Sequence, residues 1–436
     1  MSHAVLRRML TERVLGGHRA AEWARSGLST TAAQILVQGL GFAAGIVVIR
    51  MLPPRQYAFY TIATAGLGMM TVLTDSGVSG SMLALGGAVW KDRAQLGKVI
   101  GTGLALRGQF AWAALLVAIP LIGFLVHRQG GSWLESAAVP ASLIPLFLAT
   151  VSGQLLEIVP RLHQALLPVQ SLQVRVNASR LVLLILSLPA LPVAWIALLV
   201  ASAPQWWSNL RLRKLADRWA DWRVPGERQI RARVSMQLRR TMPDAFYYAF
   251  SGQLTTWLIS LFGHQQGVAT IGALGRLAMI LTVFGTAFNV VAVPRFARIA
   301  STGWHQVRRR YVQAQLALAA VCAAAVFAIA AFPNAALALL GRNYAGSQHD
   351  AVLMSICSAV SVLCAAAFQL GAVRGIVAPP AITIPTMAAG QILAIALLPL
   401  HTVSGIIWIG IVNALIQWAL YVLYFLYRPR SLAAAT

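Results

Sequence analysis

Acidic residues are scarce in this chain: 11 Asp and Glu stand against 35 Lys and Arg in 436 residues. All charged residues together make up 11%, where soluble domains carry about a quarter, so water is not the solvent for most of the chain. Cysteine is also rare. Cys322, Cys357 and Cys364 each lie inside an apolar run with no CxxC or metal-ligand spacing, which excludes a disulfide framework and a thiolate metal centre. What fills the chain instead is apolar sequence, at 58% hydrophobic residues and a mean hydropathy of +0.71. Residues 108–126 (GQFAWAALLVAIPLIGFLV) hold no charge over nearly the ~20 residues that cross a bilayer as a helix.

Such runs recur at 29–49, 57–86, 108–126, 137–156, 170–188, 190–208, 243–263, 268–293, 311–331, 350–372, 379–399 and 403–426. A net charge of +24 raises the question of nucleic acid, but the charge is not gathered into a patch. The N-terminus holds Arg7, Arg8, Arg13, Arg19 and Arg25, and the second connection Lys91, Arg93, Lys98 and Arg107. Ten basic residues fall in 211–240; Arg295, Arg298, Arg308, Arg309 and Arg310 follow, then Arg374, Arg428 and Arg430. Odd-numbered connections carry only Arg50, Arg55, Arg128 and Arg342. This alternation is the positive-inside pattern, and it places both termini in the cytoplasm with no nucleic-acid partner. The 170–208 stretch contains Arg175 and Arg180, yet it must cross twice, since a single crossing would put the ten-basic connection outside. Reporter fusions after residues 225 and 340 are expected to read inside and outside respectively; the reverse at either position would overturn this topology.

The pattern predicts a cytoplasmic basic segment at 1–28, a six-helix lobe at 29–210, a basic cytoplasmic linker at 211–240, a second six-helix lobe at 241–427 and a cytoplasmic tail at 428–436. Residues 1–28 lack the apolar h-region of a signal peptide. They read either as an amphipathic helix on the anionic leaflet or as a tail whose arginines orient the first span. Setting 57–73 against 268–284, an offset of 211, aligns Ala58 with Ala269, Thr71 with Thr282 and Val72 with Val283. Both stretches enter the membrane from the outside, so the halves form a parallel repeat.

Within the apolar spans, polar residues recur every three or four positions: Thr61, Thr64, Gly68, Thr71, Asp75 and Ser79; Gln34, Gln38, Gly41 and Gly45; Gln253, Thr256, Ser260 and Gly263; Asn413, Gln417, Tyr421 and Tyr424. One stripe alone reads equally well as a helix-packing face. Four at matching places in both halves point to a hydrated central cavity, because lipid cannot satisfy such faces. Asp75 falls near the inner boundary, where a cytoplasmic arginine or a helix cap is its ordinary partner and ion coupling the alternative role. Arg276 sits eight residues inside the eighth span, roughly 12 Å deep, with no carboxylate at its own depth. An arginine in a cavity suits phosphate, which its planar guanidinium binds bidentately.

Residues 50–77 (RMLPPRQYAFYTIATAGLGMMTVLTDSG) resemble the polysaccharide biosynthesis family of lipid-linked oligosaccharide flippases, within the multidrug/oligosaccharidyl-lipid/polysaccharide exporter (MOP) superfamily. Residues 268–299 resemble the same family's seventh-to-eighth-span region, with Arg276 in the middle and Pro294-Arg295 at the close. The family's Gly is replaced by Ala58 and Ala269 and its second Tyr by Ile271, while Tyr60 is kept. The resemblance implies an all-α polytopic membrane protein of about twelve helices in two six-helix lobes, in a bacterial inner membrane. It implies an undecaprenyl-diphosphate-linked glycan as cargo for O-antigen, capsule or exopolysaccharide assembly, membrane lipids as surroundings, and the polymerase and chain-length machinery as partners. No cofactor, metal or catalytic group is required. Arg276, Gln34, Gln38, Gln253 and Asn413 are the expected headgroup contacts, and Asp75 an ion-coupling or structural carboxylate.

The residues also bear on three rival classes. A multidrug cation antiporter of the same superfamily would want more acidic residues in its spans. Peptidoglycan-precursor flippases resemble this chain but are longer by about two spans. A membrane polymerase, ligase or glycosyltransferase would display a sizeable outer loop with catalytic groups, and 332–349 offers only Arg342 and His349.

Overall fold

In lipid a backbone can satisfy its polar groups only within its own helix or a closed barrel, and this sequence takes the first course throughout. A computed structural model describes residues 32–222, 228–297 and 304–427, and no strand occurs among them. The segment expected at 1–28 and the tail at 428–436 lie outside the described residues. The first lobe comprises α1 (Ala32–Met51), α2 (Pro54–Asp75), α3 (Val78–Ala88), α4 (Arg93–Arg128), α5 (Trp133–Leu156), α6 (Ile158–Leu162), α7 (Leu166–Ser187) and α8 (Ala194–Ala216). The second comprises α9 (Arg228–Ser251), α10 (Leu254–Phe262), α11 (Gln265–Ala297), α12 (Trp304–Ala331), α13 (Pro333–Ala338), α14 (Gln348–Ala372), α15 (Pro380–Leu397) and α16 (Val403–Tyr427).

Nine helical segments among the described residues are long and apolar enough to span a membrane. Three further crossings complete the twelve-span, two-lobed plan. Each falls short for its own reason: α7 carries Arg175 and Arg180, α8 ends in Arg211, Arg213 and Lys214, and the α9–α10 crossing is broken at Gly252-Gln253.

Two expected spans differ in detail. Residues 57–86 are not one helix, because Ser76 (φ 34°) and Gly77 (φ 94°) turn left-handed and end α2. The polar stripe ending at Ser79 is therefore split after Asp75. Residues 243–263 divide likewise between α9 and α10. Arg107, expected in a cytoplasmic connection, lies well inside the 36-residue α4 and is fully buried.

In the first lobe α5 packs against α4 and α8, and α7 against α8; in the second, α14 packs against α11, α12 and α16. The lobes meet chiefly where α2 touches α11 and α9. The repeat is visible here. Gln265 opens α11 211 residues after Pro54 opens α2. The two related helices cross each other at related positions. Ala58 and Ala269 are both fully buried, and a Cβ on Gly272 would stand 2.2 Å from Thr61 Oγ1, so only glycine permits that approach.

At the end where α1 closes, further contacts join the lobes. Arg50 donates to the carbonyls of Ala338 (2.7 Å) and Leu339 (3.0 Å), neutralising the carbonyl end of α13. Gln129 donates to Ser260 O (2.8 Å) and Gly263 O (3.2 Å), and Gln265 donates to Gln129 O (2.9 Å). At the other end the expected linker folds back on the first lobe. Arg93 donates to Asp217 O (2.7 Å), Asp221 N donates to Arg93 O (2.9 Å), and Trp219 stacks on His163 with ring centres 4.8 Å apart.

Candidate functional site

The α2–α11 crossing sets basic and phenolic side chains in the seam between the lobes. Arg276 is eleven residues along α11 from Gln265, about 16 Å of helix. It lies half-buried against α1 and α2. A Cβ on Gly45 would stand 3.2 Å from Arg276 Cδ, so the glycine in α1 makes room for the side chain. The Tyr57 and Tyr60 hydroxyls are its electrostatic neighbours, and Nη1 lies 3.6 Å from Met279 Sδ. From the opposite flank, Arg180 of α7 donates through Nη2 to the Tyr60 hydroxyl (3.1 Å). Its Nε is buried without a hydrogen-bond partner among the described residues.

Two guanidinium groups from two lobes thus face the stacked Tyr57–Tyr60 pair, Arg180 hydrogen-bonded to Tyr60 and Arg276 the charged neighbour of both phenols. Three ion pairs occur among the described residues, Arg55–Glu135, Arg107–Asp75 and Arg161–Glu157, and neither Arg180 nor Arg276 belongs to one. Such a pair repels itself and attracts an anion. Sequence reasoning passes over Arg180 as a site residue, although Gln173, Asn177 and Arg180 step by four and three along α7 and form one polar face.

The remaining expected contacts divide between places. Gln38 donates to Thr286 Oγ1 of α11 (3.2 Å), linking the lobes along the same seam as Arg276. Gln34, one turn earlier, is half-buried. Gln253 sits between α9 and α10, its amide nitrogen 3.0 Å from where a Cβ of Gly68 would be, so it touches α2 across the lobe boundary. Asn413 is elsewhere, inside the second lobe. It accepts from Gln391 Nε2 (2.9 Å), which also donates to Ser251 Oγ (2.5 Å). With Gln417, Tyr421 and Tyr248 it lines a cavity of about 510 Å³. Tyr424 leaves that stripe and lines an apolar groove between α15 and α16 instead.

The α2 stripe is less hydrated than its spacing suggests. Thr61, Thr64 and Thr71 return their hydroxyls to the carbonyls of Tyr57, Tyr60 and Leu67 (2.9, 2.9 and 2.7 Å), so these hydroxyls need no cavity. Asp75 has partners of the ordinary kind. Its Oδ1 accepts from Ser79 N (3.2 Å) and Ser79 Oγ (2.5 Å), which serves the start of α3, and lies 3.4 Å from Arg107 Nη2. Arg107 in turn donates to Ser79 Oγ (3.2 Å) and to Gln154.

No family model and no curated protein matches the chain. Solved structures do. An inward-facing multidrug resistance MATE family transporter of the MOP superfamily superposes with a TM-score of 0.62 at 15% identity, covering 94% of this chain and 98% of that one. The lipid II flippase MurJ in an inward closed conformation gives 0.69 at 9% identity, over 91% of this chain and 87% of MurJ. The MATE multidrug transporter DinF-BH, solved as a ligand complex, gives 0.62 at 13%, over 94% and 96%. At these identities the likeness is one of fold: the chain has the MATE-like, MOP-type architecture.

Proposed function

We propose that this protein is an alternating-access flippase that carries an undecaprenyl-diphosphate-linked oligosaccharide across the bacterial cytoplasmic membrane for surface polysaccharide assembly. The observation that carries the proposal is that Arg180 and Arg276 both face the Tyr57–Tyr60 pair with no carboxylate in an ion pair with either. A diphosphate supplies the negative charge that this seam lacks, and two planar forks suit its oxygens. The site lies between two related lobes, so rocking one lobe against the other exposes it to each side in turn. The prenyl chain stays in lipid throughout, and no bond is made or broken.

Two further readings have observations in their favour. The MATE fold of the neighbours favours a multidrug or cation antiporter, with Asp75 as its carboxylate. The superposition on MurJ favours a peptidoglycan-precursor flippase, although the chain covers 87% of MurJ, in keeping with the shorter span count. Proteoliposomes separate the three. The protein is expected to translocate an undecaprenyl-diphosphate-linked repeat unit faster than lipid II, and not to accumulate a cationic rhodamine dye under an imposed proton or sodium gradient. Preferred transport of lipid II or of the dye would replace the proposal with the corresponding alternative.

A further inference from the structure

The second lobe holds a chamber that an arginine-based headgroup site leaves unexplained. It lies within α9, α10, α14, α15 and α16, and its volume of about 510 Å³ falls in the ordinary range for small-ligand pockets, about 300–1,000 Å³. No charged residue lines it. Its polar groups are amides and hydroxyls: Ser251, Thr255, Asn413, Gln417, Tyr248 and Tyr421. They are already wired together, with the Tyr248 and Tyr421 hydroxyls 3.0 Å apart and Gln417 Nε2 donating to Tyr421 (3.2 Å). Phe368 packs beside Tyr421 at the wall, ring centres 5.5 Å apart, and presents an apolar face.

The chamber continues toward the arginines. Ser361 and Ala365 line both it and a second cavity of about 260 Å³, whose other wall is α11 through Thr282 and Thr286. Thr286 is the residue that Gln38 bonds across the seam. It follows Arg276 by ten residues on the same helix, about 15 Å.

We propose that this chamber is a carbohydrate subsite, taking an uncharged, hydroxyl-rich sugar ring of the cargo while Arg180 and Arg276 hold the diphosphate. The proposal rests on the flippase reading and adds where the glycan goes. A cation would find no carboxylate here, and a prenyl chain would desolvate the amides without replacing their hydrogen bonds. A sugar has hydroxyls that both donate and accept, and C–H faces that stack on aromatic rings such as Phe368.

The lobe contains its own reporter. Cys357 lines the chamber and is half-buried, while Cys322 packs among Leu281 and Leu318 away from it. In a full-length Cys322→Ala/Cys364→Ala protein in nanodiscs, the rate of Cys357 modification by a small methanethiosulfonate is measured with two probes, undecaprenyl diphosphate and undecaprenyl diphosphate bearing one N-acetylhexosamine. The sugar-bearing lipid is expected to slow modification and the bare lipid to leave it unchanged, although both bind with an affinity that Arg276→Ala lowers. Asn413→Leu is expected to weaken binding of the sugar-bearing lipid alone, by roughly three- to tenfold for the hydrogen bond lost. Equal shielding by both lipids, or none from either while both bind, would overturn the subsite and leave the flippase reading standing. Failure of both lipids to bind the Arg276-containing protein would end the flippase reading, and the subsite with it.

Discussion

Arg276→Ala is expected to lower the apparent affinity for an undecaprenyl-diphosphate-linked glycan about ten- to hundredfold, with flipping reduced in step. A charge-assisted contact to phosphate contributes about 1.5–3 kcal/mol, and each tenfold corresponds to about 1.4 kcal/mol. Arg276→Lys keeps the charge and loses the fork, so an intermediate affinity is expected. Arg180→Ala should resemble Arg276→Ala, and the double variant should cost less than the sum, since both groups flank one tyrosine pair and address one anion. Tyr60→Phe removes the hydroxyl that receives Arg180 at 3.1 Å but neither charge, so a loss of only a few fold is expected. Arg276 also fills the space beside Gly45. A purely packing role would therefore lower membrane abundance while the surviving protein flips normally. Flipping and binding normalised to folded protein decide: undiminished normalised activity in Arg276→Ala would end the headgroup assignment.

Arg107→Ala is expected to be the most destabilising single change at the α2–α3 end of the first lobe. Its side chain is 0% exposed and holds Asp75, Ser79 and Gln154 together where α2 gives way to α3. Breaking a fully buried pair costs about 3–5 kcal/mol. The Asp75 side chain is 37% exposed, so water screens part of the interaction and about 2–3 kcal/mol is the better expectation. Asp75→Asn should cost less, because an amide oxygen still accepts from Ser79 N and Arg107 keeps Gln154. Thermal unfolding in detergent ranks the two variants. The same Asp75→Asn protein, assayed for transport across pH and in sodium or proton gradients, is expected to keep the wild-type dependence. A lost or shifted dependence would make Asp75 a coupling carboxylate and defeat the structural account.

Charge alternation and apolar run length make the twelve-span plan legible, because both are set by the membrane and not by neighbouring helices. The α2–α3 break is not read from the sequence: Asp75-Ser76-Gly77 is a turn cluster, but the apolar residues on both sides make 57–86 look like one continuous span. Arg107 reads as cytoplasmic because an arginine next to a basic connection looks like part of it; only the continuation of α4 from Arg93 buries it. Arg276 stands out by depth. Its relation to Arg180 and Tyr60 joins residues from α11, α7 and α2, which no local periodicity brings together. The stripes mislead in part because a threonine hydroxyl serves a cavity and its own helix backbone equally well, and Thr61, Thr64 and Thr71 do the latter.

The meeting of Thr61 with Gly272 joins corresponding positions of the two halves. These positions correspond under the 211-residue offset, so they lie at the pseudo-two-fold axis between the lobes. A homodimer of six-helix subunits would be isologous at that axis, each residue facing its own copy. Thr61 against a second Thr61 could not approach as Thr61 approaches Gly272, where a single added Cβ already falls 2.2 Å from the hydroxyl oxygen. The present contact is a knob and a socket, available only to unlike partners. The same divergence leaves Ala65 where the second half has Arg276, so the charges of the seam, Arg180 from one half and Arg276 from the other, do not follow the two-fold relation of its frame.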